Sequence, residues 1–105
     1  MQGPNDPPER PPLVTEVRVQ LTREPPILAF ITITLWHALV VHDLRILERR
    51  DGSRVVLMPR ARATDGSWST IAHPINDDTR RRIETAVLAA YEKCLLEQAG
   101  RQAAG

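Results

Sequence analysis

The chain is 105 residues long and 42% hydrophobic, with a formal net charge of +1. That length holds one domain, near the lower limit for a core built without staples. Its apolar runs are too short and too interrupted to cross a membrane, and its single cysteine, Cys94, has no partner within the chain.

The overall charge excludes no class of ligand, but its distribution is informative. Thirteen of the fourteen basic residues are arginine, and six arginines fall between Arg45 and Arg62 against only Glu48 and Asp51. The planar fork of arginine matches phosphate and base edges better than lysine does. A lone thiol and the lack of a basic-then-apolar export signal lead us to expect a cytoplasmic location.

Residues 1–12, MQGPNDPPERPP, hold five of the nine prolines. They bring too little apolar surface to offset ordering, so the expectation is a disordered tail, with a proline-rich docking peptide as the alternative. The domain is expected over 13–105. From Leu13 the pattern turns to period two: Thr15, Val17, Val19 and Leu21 alternate with Glu16, Arg18 and Gln20, as in a half-exposed strand. Pro25-Pro26 ends it, because consecutive prolines cannot donate to a ladder. The β-branched run ILAFITITLW predicts a second strand. A short connection at His37-Ala38 leads to a third, in which Val40, His42, Leu44 and Ile46 alternate with Val41, Asp43 and Arg45. Asp51-Gly52 is a hairpin signal. RVVLM, ending at Pro59, predicts a fourth strand, and a loop to Gly66 precedes a short last one over 67–72.

The helix has the clearest signature. Asn76 is a good cap, Asp77 and Asp78 suit the positive end of the helix dipole, and Gly100 supplies a stop, after which the tail should fray. Ile83, Ala86, Val87, Ala90, Tyr91, Cys94 and Leu95 form a continuous stripe that should pack on the sheet. The fold class predicted is therefore α+β: an antiparallel sheet of four to five strands followed by one long C-terminal amphipathic helix. One helix covers one face, and the other, with Val14, Leu28 and Phe30, should meet a second copy in a sheet-to-sheet homodimer.

Functional signals centre on residues 58–91. Arg60 and Arg62 precede an Asp65-Gly66 turn, and Arg80, Arg81 and Arg82 stand in the first helical turns, where the dipole disfavours cations. Such exposed arginines suit phosphate contact, while a merely solvated loop and pairing with Asp77 and Asp78 are the plainer readings. Arg49, Arg50 and Arg54 around the other hairpin turn could widen the basic surface. Alternation puts His42 and Asp43 on opposite faces unless a bulge intervenes, so a metal or acid–base site is not expected there. His73, fixed before a proline, is expected to hydrogen-bond the corner, and Cys94 to be a small core residue. Trp36 and Trp68 could stack on unpaired bases, but core or dimer packing is the plainer use. No phosphate loop, HExxH, paired cysteines or nucleophile elbow is found, so neither enzymatic activity nor a cofactor is expected.

The segments VTEVR (14–18), ITITL (31–35), VVHDLRI (40–46), Met58-Pro59, Asp65-Gly66, IAHPIN (71–76), Thr79-Arg80 and IETAVLAAY (83–91) together resemble the SpoVG family of bacteria. SpoVG is the stage V sporulation protein G, or septation regulator. The resemblance implies a dimeric cytoplasmic regulator of sporulation and septation that binds DNA at selected sites, and in some members RNA. It also implies binding through the basic loop after the Met-Pro pair and the helix start. Arg62 matches the usual loop arginine. Ala61 stands where lysine is usual and Arg60 where serine is common; Trp36 and Thr70 replace aspartates, and Trp68 a phenylalanine. The nucleic-acid-binding residues expected are Arg60, Arg62, Arg80, Arg81, Arg82 and Arg54, with no membrane or small-molecule partner. RNA-mediated regulation and a protein–protein adaptor in division control are the alternatives.

Overall fold

A computed structural model describes residues 12–104, and the side chains of 12–101. The tail and docking-peptide readings of the proline-rich segment concern residues 1–12, of which all but Pro12 fall outside that range. Four strands, β1 (Val14–Leu21), β2 (Ile27–Leu35), β3 (Leu39–Glu48) and β4 (Arg54–Leu57), form an antiparallel meander in sequence order. A separate two-stranded sheet follows, from β5 (Arg60–Arg62) and β6 (Trp68–Thr70). The helix α1 (Asp77–Ala104) then packs across the meander, mainly against β1.

Ala29, Ile31 and Ile33 of β2 and Leu44 and Ile46 of β3 meet Ile83, Val87 and Tyr91 of α1 in the core, with Leu13 and Val56 at its margins. This is the seam the helical stripe predicts, and Leu88 and Leu95 extend it half-buried. The helix start follows the capping logic: Asn76 Oδ1 accepts from the Thr79 N–H at 2.7 Å. Gly100 does not stop the helix. Glycine ends a helix when it takes a left-handed conformation, and here the helix runs through it to Ala104.

Alternation alone misplaces several side chains, because three irregularities change the phase of the strands. At the first, Thr15 is the extra residue. Its Oγ1 donates to the Thr34 carbonyl oxygen and accepts from the His37 N–H, and Leu13 and Val14 turn to the helix side. At the second, Leu28 also joins the core margin. Of the three apolar residues expected on the face away from the helix, only Phe30 lies there, beneath the Arg45 guanidinium at 5.5 Å.

The third irregularity is at His42-Asp43, where Asp43 has φ +71°. It exposes Val40, turns Val41 towards the core, and brings His42 and Asp43 to the same face rather than opposite ones. His42 Nδ1 lies 3.5 Å from Thr32 Oγ1, and Asp43 lines a shallow hollow with Arg18, Gln20 and Thr32. Among the described residues no group of three or more His, Cys, Asp and Glu side chains is placed to hold a metal. No described helix is long and apolar enough to cross a membrane.

The three-residue β2–β3 connection, Trp36 to Ala38, contains a turn closed by the Ala38 N–H on the Leu35 carbonyl oxygen, with Trp36 at φ +53° and His37 at φ +55° at its centre. Both central residues of such a turn need positive φ, which Asn and Gly supply readily and bulky residues at a cost of about 1–2 kcal/mol each.

Candidate nucleic-acid interface

The segment expected to be a loop between Pro59 and Gly66, followed by a strand on the main sheet, is instead a hairpin standing apart from it. Pro59 is buried, ends β4 without an N–H to donate, and offers its carbonyl oxygen to the Ile71 N–H at 2.8 Å, which closes the base of the hairpin. Its far end repeats the turn that joins β3 to β4. The Ala63 N–H donates to the Ser67 carbonyl oxygen, the Gly66 N–H to that of Ala63, and Asp65 Oδ1 accepts from both the N–H and the hydroxyl of Ser67. Arg49, Gly52, Asp51 and Ser53 make the same bonds in the first hairpin. Gly52 and Gly66 have φ +87° and +89°, a conformation strained for any residue with a Cβ. The hydrogen bonds from Ser53 and Ser67 hold both aspartate carboxyls below their ordinary pKa.

Within this hairpin Arg62 pairs directly with Trp68, Ala61 with Ser69, and Arg60 with Thr70. Two-residue periodicity therefore puts Arg60 and Arg62 on one side of β5, beside the Trp68 ring. Their Cζ atoms lie over the ring, 5.2 and 5.6 Å from its centroid, and Trp68 as a whole is 49% exposed. Neither arginine forms an ion pair among the described residues. Arg80, at the helix start, shares an open hollow of about 500 Å³ with Arg60, Met58, Thr70, His73 and Glu84. His73 Nδ1 lies 3.1 Å from the Pro74 carbonyl oxygen, the corner hydrogen bond expected of it.

The remaining arginines go elsewhere. Arg54 is held by the Glu92 carboxylate and lies 5.0 Å over the Tyr91 ring, so it ties β4 to the helix. Successive helical residues diverge by about 100°, and Arg81 and Arg82 accordingly line a different hollow, against Leu13 and Val14, where Arg82 pairs with Asp78 at 3.9 Å. The structure thus gathers Arg60, Arg62 and Arg80 from the six expected and separates the other three. It also adds Trp68, whose core placement does not hold, and Trp36 is likewise 57% exposed. The second Asp-Gly-Ser, matching the first, is the sequence signal that points to this hairpin.

The architecture is that of a one-helix α+β domain carrying an appended arginine-bearing hairpin. Its sequence also places it among known proteins. The chain belongs to the SpoVG family, whose model matches residues 13–93, from the entry to β1 through most of the helix. A relative from Anaeromyxobacter dehalogenans (strain 2CP-C), named "Putative septation protein SpoVG", is 40% identical over 90 residues, covering 86% of this chain and 88% of its own. Proteins of the same name from Thermoanaerobacter pseudethanolicus and Myxococcus xanthus are 37% and 40% identical. They align over 85% and 83% of this chain, and over 97% and 88% of their own lengths.

Proposed function

We propose that this protein is a non-enzymatic, nucleic-acid-binding regulator in the septation and sporulation functions for which its family is named. It binds DNA at selected sites, with RNA the alternative ligand, and acts as a homodimer. One observation carries the reading: Arg60 and Arg62 stand exposed about Trp68, Arg60 also shares a hollow with the half-buried Arg80, and the two hairpin arginines have no carboxylate partner among the described residues. Exposed guanidinium groups on a closed, hydrogen-bonded hairpin contact phosphates with little ordering cost. A second copy doubles the number of contacts.

The surface available to that copy is apolar. Trp36, Leu39 and Val40 at the β2–β3 end, and Ile71 and Ile75 nearby, are all exposed. Trp36 and Leu39 border a groove of about 290 Å³ floored by Ile33, Met58 and Ile83. That same groove supports the second reading, a protein–protein adaptor in division control. Titration of labelled duplex DNA and of RNA with the wild-type chain and with the Arg60→Ala/Arg62→Ala/Arg80→Ala variant tests the proposal. Binding by the wild type that the triple variant loses supports it. No binding to either polymer overturns it, and a division phenotype retained by the triple variant but lost in Leu39→Asp favours the adaptor.

A further inference from the structure

We propose that the β5–β6 hairpin is a seat for an unpaired nucleotide: Trp68 takes the face of one base, and Arg60 and Arg62 hold the phosphates on either side of it. The inference rests on the nucleic-acid reading above and narrows it to single-stranded DNA or RNA, or an unpaired stretch within a folded one. Phosphate contact alone would require only the arginines. Here they are built around an aromatic ring that the core does not use: Trp68 is half exposed, its strand neighbours Ser69 and Thr70 are exposed, and it is directly paired with Arg62. Both guanidinium groups lie within 6 Å of the ring centroid, the range of cation–π attraction, and each keeps further N–H donors for phosphate oxygens.

The platform is preorganised. The Asp65–Ser67 hydrogen bonds close one end and the Ile71–Pro59 bond the other, so the ring and arginines are presented on a closed ribbon. In a duplex each base has both faces covered by its stacked neighbours and can offer this site only phosphates. An unpaired base can lay its face on the indole, as single-strand binders arrange. Trp68 should therefore discriminate strandedness while the arginines supply strandedness-independent attraction.

The test uses the full chain with oligothymidylate, oligouridylate and a mixed-sequence DNA duplex, each on the order of 10 nucleotides or base pairs, near the span of known single-strand sites. Trp68→Ala is expected to weaken single-strand binding about 5- to 150-fold, the range associated with loss of one base–aromatic stack, and to leave duplex binding nearly unchanged. Trp68→Phe should restore most of the loss, whereas Trp68→Leu, apolar but without a π face, should not. In a Trp36→Phe chain, where Trp68 is the sole indole, single strands should quench its emission more than the duplex does. The helical circular dichroism of each variant checks that the domain has folded. Stronger effects with either single strand support the proposal, and the tighter of the two identifies the preferred polymer. Equal losses on duplex and single strands, or no loss on either while the wild type binds, overturn the stacking seat and leave the broader reading standing. Wild-type chain that binds none of the three overturns both.

Discussion

The sharpest quantitative consequence of the arginine placement concerns salt. Each phosphate neutralised on B-form DNA contributes about −0.9 to the slope of log affinity against log salt, and on a single strand about −0.7. Of six candidate arginines, Arg54 is held by Glu92 and Tyr91, and Arg81 and Arg82 belong to another flank, leaving Arg60, Arg62 and Arg80. Three contacts give a slope of about −2.7 for one chain on duplex DNA and roughly −5.4 for two chains acting together. Raising salt from about 50 to about 200 mM should therefore weaken binding roughly 40-fold in the first case and on the order of 10³-fold in the second.

Fluorescence anisotropy of a labelled duplex over that range measures the slope. Arg60→Ala should make it shallower by about 0.9 per chain, whereas Arg81→Ala should leave it within error. A slope insensitive to Arg60→Ala but reduced by Arg81→Ala would place the ligand on the β1 flank of the helix and refute contact through the hairpin.

Three further outcomes follow from the packing and the turns. Val87 is fully buried, so Val87→Ala should cost roughly 2 kcal/mol in urea unfolding, from two lost methyl groups and part of the resulting cavity. Leu96→Ala, on the same helix but at a 74% exposed position, should cost less than about 0.5 kcal/mol; equal costs would contradict the assigned seam. Asn76→Ala should lower stability by about 1 kcal/mol, while Asn76→Asp, which keeps the acceptor, should change it little, as read by thermal unfolding. Asp51 and Asp65 have folded-state pKa values below the ordinary 3.8. Their contribution to the hairpins is present above that value and fades as pH falls through the lowered one. Carboxyl titration by NMR should find both midpoints below 3.8, and Asp65→Asn should weaken protection of the Ser67 amide.

Much of the scaffold is readable in the residues because its signals are local and repeated. The β-branched run from Ile27 fixes β2, the stripe from Ile83 to Leu95 fixes the buried side of α1, and Asn76 with Asp77 and Asp78 marks its start. Bulges are less legible, since one extra residue at Thr15 or near Asp43 changes the facing of every neighbour without a distinctive composition. Gly100 was misleading because glycine permits a helix end without enforcing one. The candidate site was legible only as clustered charge. Strands of three residues are too short for periodicity to register, and the pairing that sets Arg62 opposite Trp68 depends on a turn whose register the linear text does not display.

All six strand residues of the small hairpin are exposed, so its side chains contribute little to holding the domain together. Under the proposed reading, recognition and foldedness are nearly uncoupled here: letters at 60, 62 and 68 can be rewritten by mutation while the packing of helix on meander persists. On that reading, a change of target needs only substitutions on the ribbon, one at a time, with the folded scaffold kept throughout.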